Sequence, residues 1–375
     1  MKKYLPLIVR VGIVLLLVIL LIILSILKNN VEVCEAMSRG FSRFLVSIMG
    51  KGAEVLSISL TEVSFILLAI GLVTLLVLSI YSLVKKHFMA SINRFLELGA
   101  ILLLSFNLYD LSCEFAYNRK EMPLPYYEEE VLRTEHVDIF NYFANDVNYC
   151  ISQLEFKSSG EVKNPMTLKE LTNEIKKAYQ IIDGDSYFSS SFGAVKPMAS
   201  SPIYREFQIT GVTYSPLGEA NINILNTNTN LPLTVAHELA HTKGVMREDD
   251  ANKLAFYVCL NSEHPYLRYS AYASYFYQID AMVTSYYLTD EERQDLVTID
   301  TTLAKTRSYE YKFWKEHDLL GDIGDFFNDL YIKSSGVKEG TTSYSGGTQY
   351  EHDPTTSKLI PSLYQKLFFD KYYRS

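Results

Sequence analysis

The residues from Thr234 to Gly244 read Thr-Val-Ala-His-Glu-Leu-Ala-His-Thr-Lys-Gly, a His-Glu-x-x-His motif with no helix breaker between Val235 and Lys243. On an α-helix His237 and His241 stand one turn apart on the same face, so both imidazoles can reach one ion. Zn²⁺ takes ligand nitrogens at about 2.0–2.1 Å in a tetrahedral arrangement, and a catalytic site keeps its fourth position for water. Glu238 follows the first histidine and points to the same side, where a carboxylate can take a proton from that water. Val235, Ala236, Leu239 and Ala240 are apolar, as expected of a helix buried in a core with only its metal-facing edge polar. The bland alternative is a pair of core histidines satisfied by hydrogen bonds.

The residues that follow favour the metal. Gly244 can end the helix in a left-handed cap, and Arg247-Glu248-Asp249-Asp250-Ala251-Asn252 then opens a second helix running to about Leu260. A carboxylate just after a glycine turn is where a third ligand is needed. Glu248 lies one helical turn before Asn252, and the small Ala251 between them permits close helix contact. Asp249 is the alternative ligand, with Glu263 or His264 as further ones.

Glu248, Ala251 and Asn252 in this register resemble the third-ligand helix of gluzincin metallopeptidases. In those proteins the glutamate binds zinc, and an Asp or Asn four residues later supports a histidine. The wider neighbourhood is similar to the bacterial membrane family catalogued as domain of unknown function 3810. The residues that carry this likeness are Gly218-Glu219-Ala220-Asn221-Ile222-Asn223, Leu231-Pro232-Leu233-Thr234, Arg268-Tyr269-Ser270, Tyr117-Asn118-Arg119 and Gly340-Thr341-Thr342-Ser343-Tyr344. It runs over most of the chain and is strongest from Gly211 to Tyr272. The resemblance implies a zinc-peptidase-like domain on a membrane anchor, in a family with no established substrate. It places Arg268 and Tyr269 near the site, where either would stabilise an oxyanion or Arg268 would pair with Glu248 or Asp249. It also implies that the strand just before the metal helix is the sheet edge on which an extended substrate aligns.

These residues need elements to hold them. Phe207–Tyr214 and Ala220–Leu225 carry strand patterns, and the second precedes the metal helix. Thr134 is a candidate cap for a helix through Phe156, and Thr167-Leu168-Lys169-Glu170 is a capping box opening a helix to about Asp183. Gly184–Ser201 is loop-like in composition, and Asn226–Asn230 is a polar turn. Tyr266–Tyr287 is a long aromatic-rich helix whose tyrosines are mostly packing residues. Thr289–Glu292 is a second capping box, leading a helix into Lys305–Lys315. Gly336–Thr356 is a Gly/Ser/Thr loop, and Leu359–Tyr373 a closing amphipathic helix.

Ahead of this domain lie three apolar spans, at about 8–27, 63–84 and 95–113, near the ~20 residues that cross a bilayer. The first follows basic residues like a signal peptide, but its apolar run is long and no small-x-small cleavage site follows Ser25, so a retained anchor is expected. Glu97 and Asp110 in the third span are expected near opposite interfaces. Phe41–Leu60 is mildly amphipathic and suits the membrane surface or the bundle. Lys2, Lys3, Arg10, Lys85, Lys86 and Arg94 outweigh the diluted basic residues of the Lys28–Lys51 loop, which favours a cytoplasmic N-terminus and an exported domain. A Cys34–Cys113 or Cys150–Cys259 disulfide is then permitted but not implied.

With 375 residues the chain can hold a membrane part and one sizeable soluble domain, and its net charge of −8 argues against nucleic acid, which needs a basic face. Its four cysteines show no Cys-x-x-Cys spacing. The expected organisation is a membrane region 1–115, a linker 116–133 and a domain 134–375. The expected fold is α+β, a mostly helical zincin-like domain with a small edge sheet behind three transmembrane helices. The expected function is a multi-pass zinc metallopeptidase acting on a peptide or protein substrate, with Zn²⁺ on His237, His241 and Glu248 and Glu238 as general base. The alternative is a non-catalytic membrane protein with a structural or sensory zinc site. That alternative leaves Glu238 without a task.

Overall fold

The computed structural model describes residues 5–132, 135–284, 288–334, 351–352 and 359–374. Helix α1 (Leu5–Leu27) is followed by α2 (Val31–Met37), a π-helical turn (Ser38–Ser42), α3 (Arg43–Ala53), α4 (Leu60–Val84) and α5 (Phe88–Ser112). Three of these, α1, α4 and α5, are long and apolar enough to cross a membrane, with mean hydropathies of 3.4, 2.8 and 1.4. Each begins earlier than its apolar run. Backbone hydrogen bonding carries a helix through polar residues until a cap stops it, and for α4 the Ser59 side chain caps by accepting the Glu62 N–H. Helices α1 and α5 run parallel. Arg10 meets Glu97 at 2.7 Å near one end, and Lys28 meets Asp110 at 3.2 Å and Glu114 at 3.3 Å near the other. Glu97 and Asp110 are thus about 20 Å apart along α5, and each is ion-paired to a basic residue at or beside an end of α1.

The intervening segment lies on the soluble domain. Helix α3 packs against the turn Ser215–Leu217 and the sheet beneath it. A Cβ at Gly50 would come within 3.1 Å of the Gly218 carbonyl and 3.2 Å of the Gly193 Cα, so this close approach needs glycine. The described part of the expected linker, 116–132, is packed and not free, with Tyr126, Tyr127 and Val131 against the core and the Tyr127 N–H donating to the Lys366 carbonyl at 3.2 Å. Tyr117, Arg119, Met122 and Leu124 are buried, whereas Glu128, Glu129 and Glu130 are exposed. The chain at 115 therefore passes straight into packed structure, because Arg119 has a buried carboxylate partner in α2, Glu35, at 2.9 Å.

The helical domain comprises α6 (Glu135–Ser152), α7 (Leu168–Ala178), α8 (Ser201–Glu206), α9 (Leu231–Thr242), α10 (Glu248–Leu260), α11 (Pro265–Thr284), α12 (Asp290–Gln294), α13 (Thr301–Glu316), α14 (Gly321–Ser334) and α15 (Leu363–Arg374). Both capping boxes form, at Thr167 with Glu170 and at Thr289 with Glu292. The second leads only the short α12. A separate cap, Asp300, starts α13, so the single helix expected there is two. Thr134 lies outside the described residues, as does most of Gly336–Thr356. Phe156 belongs to no helix and bridges Val162. The core centres on α9, with Ile139, Phe143, Leu239, Phe256, Tyr272 and Phe368 fully enclosed. All four cysteines are buried free thiols.

Strands β1 (Ala194–Pro197), β2 (Gly211–Tyr214) and β3 (Glu219–Ile222) form a sheet in the order β1-β3-β2. A two-residue pair, β4 (Glu351–His352) and β5 (Leu359–Ile360), stands apart from it. Strand β1 falls in the stretch whose Ser and Gly content suggested a loop, and it pairs parallel to β3. Strand β2 pairs antiparallel on the other side, Gly211 opposite Ile222 and Tyr214 opposite Glu219. The strand before the metal helix is therefore the central one, buried throughout, and not the edge. The edges are β1 and β2, because β1 supplies β3 with a second partner.

Strand β3 alternates Ala220 and Ile222 with Glu219 and Asn221, and all four are buried. The polar pair is satisfied by the start of α4. Glu219 accepts the Leu60 and Thr61 N–H groups at 3.1 and 2.8 Å and the Thr61 hydroxyl at 2.8 Å, and Asn221 accepts the Ser59 hydroxyl at 2.6 Å. A carboxylate at a helix N-terminus is favoured by the unpaired N–H groups and the helix dipole. The sheet is thereby fastened to a helix of membrane-spanning length.

Candidate metal centre

Helix α9 begins with Pro232 in its first turn and ends at Gly244, whose φ of +92° is the left-handed stop expected from the sequence. The Gly244 and Val245 N–H groups close the end by donating to the His241 and Ala240 carbonyls at 3.0 and 3.1 Å. Val235, Ala236, Leu239 and Ala240 are wholly enclosed. That burial fixes the helix about its axis, since turning it would expose side chains worth ~1.5–3 kcal/mol each for Val and Leu. His237 and His241 then face one side with ring centroids 4.7 Å apart.

After Val245 the chain turns so that Glu248 is the first residue of α10, with Arg247 extended ahead of it. The Glu248 Oε2 lies 3.1 Å from His237 Nε2 and 3.6 Å from His241 Nε2, and the two Nε2 atoms are 3.1 Å apart. Ligands at about 2.0–2.1 Å from a tetrahedral ion are separated by about 3.3–3.4 Å, so the three atoms fit the face of such a site. The donor chemistry also fits. His241 Nδ1 is 2.7 Å from the Val245 carbonyl, which calls for a proton on Nδ1 and turns Nε2 toward His237 Nε2 and Glu248 Oε2. Asn252 lines the same cavity, but the partner that holds His241 is this carbonyl.

His241 and Glu248 act on each other's charge. Burial works against charge on His241, yet the Glu248 carboxylate outweighs it and pushes the imidazole up to about 9. Burial likewise opposes the Glu248 carboxylate, and the two imidazoles reverse that and hold it well below the usual range. Glu238 is enclosed, and its burial raises its carboxyl against the pull of both histidines. The Thr213 hydroxyl of β2 donates to Glu238 Oε2 at 2.7 Å and to its backbone carbonyl at 2.9 Å. Gly211 leaves room for Oε1, because a Cβ there would sit 2.6 Å from it. No motif in the sequence marks Gly211 or Thr213. The strand pattern located β2, but nothing local showed which helix it faces.

A cavity of about 980 Å³ opens on these residues. His237, Glu238, His241 and Glu248 line it with Gly211, Val212 and Thr213 of β2 and Ile203, Tyr204 and Phe207 from α8 and its end. Among the described residues, His237, His241 and Glu248 form the one group of at least three His, Cys, Asp or Glu side chains placed to hold a metal. Asp249 instead pairs with Lys253 at 3.3 Å. His264 Nδ1 accepts the Tyr266 N–H, and the Glu263 carbonyl accepts from Arg268.

Arg268 and Tyr269 are not at the site. The Arg268 guanidinium bonds Asp146 of α6 at 3.1 and 3.2 Å and the Ser262 carbonyl at 2.9 Å, while the Tyr269 hydroxyl donates to Thr306 at 2.8 Å. Helix α11 packs this face on α6 and α13, so it reaches the cavity only farther along, at Ser274 and Tyr275. Arg268 thus has structural contacts in place of the expected oxyanion role and of pairing with Glu248 or Asp249.

The family model described as "Protein of unknown function (DUF3810)" matches residues 37–350. The chain belongs to the DUF3810 family. Comparison with curated proteins and with solved structures returned no match. In this DUF3810 protein, Glu219 and Asn221 hold the start of α4, Arg119 pairs with Glu35, and Tyr117 lines the cavity. Gly340–Tyr344 lies outside the described residues.

Proposed function

We propose that this DUF3810 protein is a membrane-anchored zinc metallopeptidase of gluzincin-like type. The observation that carries the reading is the triangle of His237 Nε2, His241 Nε2 and Glu248 Oε2, with sides of 3.1, 3.1 and 3.6 Å, on the wall of a large cavity. These three residues would hold the ion, which when bound supplies Lewis acidity that acidifies a water and polarises a carbonyl. Glu238 takes the proton at Oε1, the oxygen not occupied by Thr213, and hands it to the leaving amine. Strand β2 offers its outer edge, unpaired among the described residues, to an extended peptide beside Glu238.

A structural zinc site closes with a fourth protein ligand, and the described residues supply three. The membrane part fits a multi-pass anchor, with parallel α1 and α5 and an antiparallel α4 between them in sequence. With a cytoplasmic N-terminus this topology exports the domain.

The test is Glu238→Gln in the full-length protein. Gln keeps the size of the side chain and one acceptor but takes no proton. Zinc content and melting temperature should be unchanged, while hydrolysis of a peptide library should fall ~10²–10⁴-fold in kcat. Equal hydrolysis by the parent and the variant would remove Glu238 as the base.

A further inference from the structure

The cavity is built onto the spanning helices themselves. Strand β2 runs from Gly211, against Glu238, to Tyr214, whose ring lies 4.8 Å from that of Phe65 in α4. At about 3.3 Å per strand residue, Glu238 is about 10 Å along β2 from a helix of membrane-spanning length. Phe65 is little more than one turn inside that helix, and both it and its neighbour Ile66 are exposed. Another part of the lining is fastened to the same place. Glu62, in the first turn of α4, accepts the Ala199 and Ser200 N–H groups at 2.8 and 2.9 Å and the Ser200 hydroxyl, fixing the start of α8. Helix α8 puts Ile203, 59% exposed, on the cavity wall. Tyr117, which also lines the cavity, follows shortly after the end of α5 at Ser112.

Resting on the peptidase reading, we infer that the substrate is a polypeptide tethered to the same membrane and cut within about five residues of the bilayer surface. An extended segment paired on β2 spans the ~10 Å from Glu238 to Phe65 with three to four residues. Its far end then lies against exposed apolar side chains of α4. That position suits the last residues before an apolar span or an acyl anchor. A freely diffusing peptide gains nothing from it. The start of α4, by holding both β3 and α8, keeps the cleft at this level.

The experiment uses the full-length protein, zinc-loaded, in phosphatidylcholine–phosphatidylglycerol vesicles. One randomised peptide segment is presented in four ways: directly after a transmembrane helix, directly on a diacyl anchor, on either anchor through a flexible linker of about 20 residues, and free in solution. Confinement to the bilayer raises effective concentration in every anchored arm, so the deciding comparison is between short and long tethers. The expected result is cleavage about tenfold faster in a directly anchored arm than in its long-linker counterpart, with cut sites mapped by mass spectrometry within about five residues of the anchor. Preference for the helix or the diacyl arm identifies the source of the tether. Equal rates for short and long tethers, or cut sites spread without regard to the anchor, overturn the inference while leaving a peptidase. Absence of cleavage in all arms with zinc bound overturns the peptidase reading and this inference together.

Discussion

The Thr213 hydroxyl donates to Glu238 Oε2 at 2.7 Å, tying the edge strand β2 to the carboxylate that follows the first histidine of the motif. A hydrogen bond to a charged group is worth ~1.5–3 kcal/mol, enough to fix which oxygen is free. Thr213→Val should keep zinc and lower kcat about tenfold or more with KM little changed, and Thr213→Ser should restore most of the rate. Gly211→Ala should act on the same carboxylate from the other side, because the added Cβ would sit 2.6 Å from Oε1. A change confined to melting temperature would make this contact merely structural.

The metal prediction concerns stoichiometry and ligand order. Elemental analysis of the full-length protein should find about one zinc per chain, and His237→Ala with His241→Ala should abolish it. Glu248→Ala should weaken zinc in chelator competition far more than Asp249→Ala, since Asp249 is committed to Lys253 at 3.3 Å and lies outside the triangle. The reverse order would shift the third ligand by one residue.

Arg119 and Glu35 give a pH-dependent contribution to stability. The Arg119 hydrogen bond holds the Glu35 carboxyl down at about 2, against a usual 4.5. A depressed folded-state value means the stabilisation is fully present above about 4.5 and is lost as pH falls through about 2. Melting temperature measured across that window should drop for the parent and drop less for Glu35→Gln. At neutral pH Arg119→Ala should cost about 1–3 kcal/mol, because Glu35 loses its buried partner and keeps only the half-exposed Arg39. A loss under 1 kcal/mol would mean that water reaches Glu35.

Topology has a direct readout. A reporter fused after Ser375 should be exported, whereas one fused after Lys86, in the turn between α4 and α5, should be cytoplasmic. The opposite pattern would put the candidate centre in the cytoplasm.

What the sequence determined by itself is local. The imidazoles one turn apart, the glycine stop at Gly244, the α10 start at Glu248, both capping boxes and the three apolar runs each depend on neighbours within a turn or on composition along one helix. Spacing alone therefore exposed them. The tertiary structure decided everything that joins distant segments. Glu238 meets Thr213 across 25 residues, Arg119 meets Glu35 across 84, and Glu219 meets Thr61 across 158. No local pattern encodes such pairs, because either partner has the same propensity whether or not the other arrives. The same reason explains the edge strand and Arg268. Strand β3 became central only because β1, short and set in a loop-like stretch, packed beside it. Arg268 and Tyr269 left the site because α11 buries that face on Asp146 and Thr306. A helix period shows which residues share a face, and only the packing of neighbouring elements decides what that face meets.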